Sequence, residues 1–238
     1  MYVQVANAKI EYRREMRRKQ LRNRIGYVLF LLAGLLMIYI FHNIGTGDMG
    51  NAGAGNYSQL KDAHSEIDLS QEVKKGEIPL FLQWDERWGY ENYGSDFMAV
   101  TGCGPTCLAM VYCGVTGKTD LNPYSIARKA ENEGYYVKGA GSAWDMMTEL
   151  AEELGLWAEE MVFDEEHIMN TLEEGSPIIC IMGPGDFTTS GHFIVLTGVD
   201  SNGEILVNDP NSLSNSERSW KLEDLMSQIR NLWSYREA

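Results

Sequence analysis

Apolar and polar positions change rhythm several times along the chain. The first apolar block, "IGYVLFLLAGLLMIYIF" from Ile25 to Phe41, runs for 17 residues without a charge. That length is at the short end of a membrane span, and "HNIG" extends it to residue 44. Gly45 to Gly55 then holds five glycines in eleven residues, the composition of a flexible tether. Polar, mixed-charge sequence follows as far as Glu77. From Ile78 onward the texture is that of a globular domain.

Within residues 78–238 the helical period comes first. "CGPTCLAMVYCGV" reads as a helix starting near Pro105. Asn122 caps "PYSIARKAENEG", Ser142 caps "AWDMMTELAEELG", and Asp164 caps "EEHIMNTLEEG". The period then changes. "PIICIMG" reads as a buried strand, and "HFIVLTGVD" with "EILVND" flanks "SNG" as an antiparallel hairpin. "LEDLMSQIRNLW" reads as a last helix and "WSYRE" as a closing strand. Helices followed by antiparallel strands predict an α+β fold with the sheet on one side.

Charge divides the chain at the apolar block. Residues 1–24 carry eight basic and two acidic side chains, a net of +6. Beyond residue 44 there are 12 basic and 32 acidic side chains, a net of −20. The positive-inside rule places the basic end in the cytoplasm and the domain outside. Such acidity argues against nucleic acid as a partner, because phosphate contacts need a basic surface. Ala52-Gly53-Ala54 resembles a signal-peptide cleavage site, but it lies far beyond the apolar run. The expectation is therefore an uncleaved anchor. The predicted organisation is a cytoplasmic tail (1–24), a transmembrane helix (25–44), a linker (45–77) and one domain (78–238).

Four cysteines occur, at 103, 107, 113 and 180. Cys103 and Cys107 lie one helical turn apart, a poor geometry for a disulfide. A Cys113–Cys180 pair stays open, since sequence does not fix connectivity. No zinc-type spacing links cysteines to the scattered histidines, so no metal is expected. Cys103 stands apart from the other three. At a helix N-terminus, unpaired N–H groups and a partial positive charge favour a thiolate. Gly102 and Gly104 permit a tight turn and the close approach of a substrate backbone. A thiolate nucleophile needs a group that accepts and returns protons. His192 begins a strand directly after Gly191 and is the candidate. If the hairpin turns at Ser201 to Gly203, Asp209 returns near His192 and can orient its ring. A shift of one residue in register would flip that side chain to the other face. Each residue alone has a plainer reading: a buried small cysteine, a turn histidine, a strand-stopping Asp-Pro. The order Cys, His, Asp joins them.

Four stretches, "IPLFLQWDERWGYENYG", "TGCGPTCLAMVYCGV", "GHFIVLTGVDSNGEILVNDP" and "LWSYRE", together resemble the double-glycine leader (bacteriocin-processing) peptidases and their stand-alone relatives. They span almost all of residues 78–238. The resemblance implies a papain-like cysteine peptidase fold. It makes Cys103 the nucleophile, His192 the general base and acid, and Asp209 the orienting residue. It adds Gln83, whose side-chain amide would join the backbone N–H of Cys103 as an oxyanion donor. Gly102, Gly104, Trp84 and Gly191 are the candidate substrate-binding residues. No cofactor is implied, and the partner is a peptide or protein substrate. The expected function is a membrane-anchored, extracytoplasmic cysteine peptidase. Its rivals are a non-catalytic peptide-binding module of the same fold and a cell-wall peptide hydrolase or transpeptidase.

Overall fold

The computed structural model describes residues 67–238. The expected basic tail and membrane span lie outside the described residues, as does residue 45–66 of the expected linker. Among the described residues, no helix is long and apolar enough to cross a membrane.

The folded unit begins upstream of the expected boundary at 78. Leu69 is fully buried, and Ile67 and Val73 pack against the same core. The Gly76 N–H donates to the Gly114 carbonyl at 2.8 Å. A polar majority made this stretch read as linker. Burying even one leucine contributes about 1.5–3 kcal/mol, enough to hold a short polar segment on a core.

A small ribbon, β1 (Asn92–Tyr93) and β2 (Asp96–Phe97), leads into the one-turn helix α1 (Met98–Thr101). Next come α2 (Cys103–Thr116) and α3 (Pro123–Asn132). A second ribbon follows, β3 (Tyr136–Val137) with β4 (Gly141–Ser142). After it lie a 3-10 turn (Trp144–Met147), α4 (Glu149–Glu153), β5 (Leu156–Glu160), α5 (Glu165–Glu173) and β6 (Ile178–Met182). The chain ends in β7 (His192–Val199), β8 (Ile205–Asn208), α6 (Leu213–Ser216), β9 (Ser219–Trp220), α7 (Leu222–Met226) and β10 (Ile229–Glu237).

Local chemistry explains the long helices. In α2 every residue from Gly104 to Gly114 is buried, so it is apolar on all faces and runs through the core. It stops at Gly117, whose φ of 74° is left-handed and whose N–H returns to the Cys113 carbonyl. α3 opens with a reciprocal capping box between Asn122 and Ser125, with Pro123 at its first position. The Asp164 side chain caps α5 by accepting from the His167 N–H at 2.9 Å.

The helix expected after Ser142 does not form as one piece. Ser142 lies in β4, and its hydroxyl bonds the Tyr93 hydroxyl at 2.9 Å. The chain makes a 3-10 turn and then α4. This break brings two buried pairs, Met146–Met147 and Leu150–Ala151, onto one core.

Six strands form one antiparallel sheet in the order β5-β10-β6-β7-β8-β9. Side chains alternate across it. Ile179, Ile181, Phe193, Val195, Trp233 and Tyr235 share a core with α2. Ile178, Cys180, Met182, Ile194, Leu196 and Leu232 meet Ile168 and Leu172 of α5 and Leu225 of α7 on the other face. The sheet is therefore covered on both faces, not on one as the element order implied. Two assignments account for the difference. β5 falls among the helices, and β10 starts at Ile229 inside the expected last helix. Leu222, Leu225, Met226, Ile229, Leu232 and Trp233 do follow helical spacing, but a slot between β5 and β6 draws the second half into the sheet.

Candidate active site

Gly102, with φ −82° and ψ 10°, turns the chain from α1 into α2. Its N–H donates to the Met98 carbonyl, and its carbonyl accepts from the Thr106 hydroxyl at 2.7 Å. No side chain caps α2, so its first N–H groups stay available beside Cys103. Cys103 is partly exposed, and His192 with the backbone N–H groups of Phe193 and Gly104 supplies the favourable electrostatic surroundings of its thiol.

His192 opens β7 and is 7% exposed. Its Nε2 lies 2.7 Å from Oδ1 of Asp209. The ring's other nitrogen, Nδ1, is thus the one left for Cys103. The hairpin carries a bulge between Leu196 and Gly198, so Val195 pairs with Asn208. Continuing that register sets Asp209 opposite Ile194, on the same alternation as His192. An unbulged hairpin would set it opposite Val195, on the other face. One extra residue in β7 decides which way the carboxylate turns.

Asp209 is held firmly. Besides His192, Oδ1 accepts from the Asn211 N–H at 2.8 Å and Oδ2 from Nδ2 of Asn215 at 2.8 Å. The Asp209 N–H donates to the Ser216 hydroxyl at 2.9 Å. Sequence reading missed Asn211 and Asn215. The signal was present: Asp-Pro-Asn followed by Ser-x-x-Asn is turn-and-cap sequence whose side chains aim inward.

Electrostatics couple the three groups. Burial opposes ionisation of Cys103, but the hydrogen bond and charge of His192, with the backbone N–H groups, outweigh it and lower the thiol below 9.0. Burial likewise disfavours the His192 cation, yet Asp209 and Cys103 together raise it to about 10. The arrangement favours a thiolate beside an imidazolium. Cys107, one turn further in, is fully buried and its thiol is pushed up by that burial. Burial also pushes Cys113 up, to about 12, and raises Cys180. All four cysteines are free, so the Cys113–Cys180 pairing left open by the sequence is not made.

Cys103 and His192 line a cleft of about 660 Å³. Its lining includes Gly141, Ser142 and Trp144 from the segment after β3, and Gly183, Gly191 and Arg230 from the ends of β6, β7 and β10. Trp233 packs against two cleft-lining rings, with centroids 6.1 Å from Trp144 and 6.3 Å from Phe193.

The remaining candidates lie elsewhere. Gly191 lines the cleft, but Gly102, Gly104, Trp84 and Gln83 do not. Gly102 and Gly104 are buried, and their missing side chains make room for protein rather than substrate. A Cβ on Gly104 would sit 2.6 Å from the Ser142 Oγ, and one on Gly102 would sit 2.5 Å from the Met98 carbonyl oxygen. Trp84 donates from Nε1 to the Asn211 carbonyl at 3.2 Å, bracing the turn after Asp209. Gln83 is 3% exposed. Its backbone N–H holds the Pro210 carbonyl and its Nε2 holds the Ala99 carbonyl, at 2.8 and 2.9 Å. It therefore ties the Asp209 turn to the segment leading into Cys103. Its Oε1 is buried without a hydrogen-bond partner among the described residues.

Gly104→Ala tests that packing. Overpacking beside Ser142 is expected to destabilise the domain by about 1–3 kcal/mol. The measurement is the thermal midpoint, expected to fall by several degrees. An unchanged midpoint would show that Ser142 and Met146 yield freely.

The profile of the Peptidase_C39 like family matches residues 75–238. Among solved structures, the chain is similar to the peptidase domain of Streptococcus ComA, a bi-functional ABC transporter involved in a quorum-sensing pathway. The two share 18% identity over 58% of this chain and 93% of that one, with a TM-score of 0.44. It is also similar to a double glycine motif protease from an AMS/PCAT transporter, solved in complex with the leader peptide. There the identity is 19% over 70% of this chain and 97% of that one, with a TM-score of 0.43. No curated protein matches.

Proposed function

The chain belongs to the Peptidase_C39 like family, with an α+β papain-like peptidase fold, and on that premise we propose that it is a membrane-anchored, extracytoplasmic cysteine peptidase. The observation that carries the chemistry is the hydrogen-bonded His192–Asp209 pair, with Cys103 and His192 lining the same cleft.

In this reading the Cys103 sulfur attacks a peptide carbonyl carbon. The carbonyl oxygen becomes an oxyanion, which accepts from the backbone N–H of Cys103 at the mouth of α2. Gln83, buried outside the cleft lining with its Nε2 held by the Ala99 carbonyl, supports the segment that carries Cys103. His192 gives its proton to the leaving amine as the C–N bond breaks. Water then attacks the thioester carbon, His192 takes its proton, and the C–S bond breaks to return the thiolate. Asp209 keeps the ring oriented throughout. No step requires a cofactor. Membrane attachment rests on the uncharged run at residues 25–41 behind a basic tail.

The test uses the full chain in intact cells, treated with a membrane-impermeant thiol electrophile across pH. Cys103 is expected to label far faster than Cys107, Cys113 or Cys180, with a rate that rises as it ionises below 9.0. Equal labelling of all four would count against an activated nucleophile. Labelling only after the cells are opened would count against the extracytoplasmic placement. Peptide cleavage by the purified chain should also decline on the alkaline side near 10, as His192 loses the proton meant for the amine. Alkylation, which needs only the thiolate, should not decline there.

A further inference from the structure

Arg230 differs from the other arginines among the described residues. Arg87 is paired with Asp85 and Glu72, and Arg128 with Glu131. Arg218 lies over Trp220 and Arg236 over Trp157, at 3.6 and 3.5 Å from the ring centroids. Arg230 has neither a carboxylate nor an aromatic face. Its donors reach only the carbonyls of Ile229 and Ser227, at 3.2 and 3.4 Å. This occurs in a region with 32 acidic side chains against 12 basic ones, where partners abound.

Its placement is specific. Pairing of β10 with β6 runs Ile229 to Met182 and then Asn231 to Ile181, so Arg230 is the bulged residue. Bulges beside active sites re-aim side chains. Here the side chain lies along the cleft wall. Gly183 leaves room for it, because a Cβ there would stand 2.4 Å from the Arg230 Nε. Among the cleft-lining residues Arg230 is the only arginine or lysine. The cleft's one carboxylate, Asp96, is held by the Tyr136 and Ser95 hydroxyls, and no ion pair joins it to Arg230.

We infer that Arg230 is a specificity-determining residue that receives a carboxylate of the peptide substrate two or three residues from the scissile bond. The inference rests on the peptidase reading. The distance follows from the sheet. Ile229, Met182 and His192 are successive partners across β10, β6 and β7. Two strand spacings separate the first from the last, roughly 10 Å, and an extended peptide advances about 3.3 Å per residue. A planar guanidinium with unpaired donors suits a carboxylate, side chain or terminal, better than a neutral amide. Without Arg230, the acidic domain would repel such a group.

The experiment compares kcat/KM for peptides carrying Glu or Gln at each position within four residues of the cleaved bond, using the full chain. A second arm ends the peptide at each such position as a free acid or an amide. One arm is expected to show roughly tenfold preference for the carboxylate at one position, the scale of a charge-assisted pair at a partly exposed site. The arm that responds identifies the carboxylate as side chain or terminal. Arg230→Gln should bring the ratio to about one, Arg230→Lys should restore part of it, and Arg230→Glu should favour Lys at that position. No preference in the parent, or a preference unmoved by Arg230→Gln, overturns the inference. If nothing is cleaved, the peptidase reading fails separately. The same peptides are then bound to Cys103→Ala and Cys103→Ala/Arg230→Gln, with anisotropy as the readout. A carboxylate preference lost only in the double variant sustains the role of Arg230, and its absence in the first overturns it.

Discussion

Replacing Cys103 with alanine is expected to lower kcat/KM by about four orders of magnitude or more while leaving the fold intact. The size follows from the chemistry, since removing one member of a nucleophile–base set disables the whole set. The intact fold follows from position. Cys103 is the first residue of α2 and only partly buried, and alanine is a better helix former. Peptide affinity should therefore survive, because the cleft walls are built from other elements. Steady-state kinetics, a thermal midpoint and a binding isotherm together make the check. Turnover retained by Cys103→Ala would remove the nucleophile from the mechanism. Binding without turnover in the parent as well would turn the protein into the non-catalytic peptide-binding module of the same fold.

Asp209→Asn should lower kcat/KM by about two to four orders of magnitude through a different route. Three donors converge on the Asp209 carboxylate, from His192, Asn211 and Asn215. An asparagine has only one acceptor oxygen there. Its NH2 group must face one of those donors whichever way the amide turns, leaving buried donors unpaired at about 1–3 kcal/mol. The charge that helps raise His192 to about 10 is also lost. The imidazolium should then release its proton at lower pH, and the alkaline limb of peptide cleavage should move down from about 10. That movement separates an electrostatic role from mere loss of packing. A lower rate with an unmoved limb would leave Asp209 a structural residue only.

The parts of this site that could be read from the sequence are those fixed by short-range chemistry. Cys103 at a glycine-flanked helix start, His192 after Gly191 and Asp209 before Pro210 each depend on neighbours within a few residues. The long helices with side-chain caps, at Asn122 and Asp164, were legible for the same reason. What depends on distant contacts was not legible. The face taken by Asp209 hangs on the bulge at Thr197, which no residue preference announces. Arg230 sits in a stretch whose apolar spacing fits a helix, and only the slot beside β6 makes it a strand. Gly102 and Gly104 did mark a crowded place, but the crowding comes from Met98 and Ser142. Residues 67–77 were assigned to the linker because their few apolar side chains gain meaning only from the core that receives them.

The position of β10 also has a consequence in time. It is the latest strand of the sheet to be synthesised, yet it lies between β5 and β6. Strands β6 to β9 can pair as they leave the ribosome, but β5 has no neighbour until residue 237 has been made. Trp233, which packs against the cleft-lining rings of Trp144 and Phe193, arrives with β10. A nascent chain that has reached Asp209 already holds its thiol, imidazole and carboxylate, but the trough that would seat a peptide between them is unfinished. Pairing so distant in sequence forms slowly. The order of translation thus keeps a reactive sulfur from meeting a peptide in an ordered cleft until the whole sheet has closed.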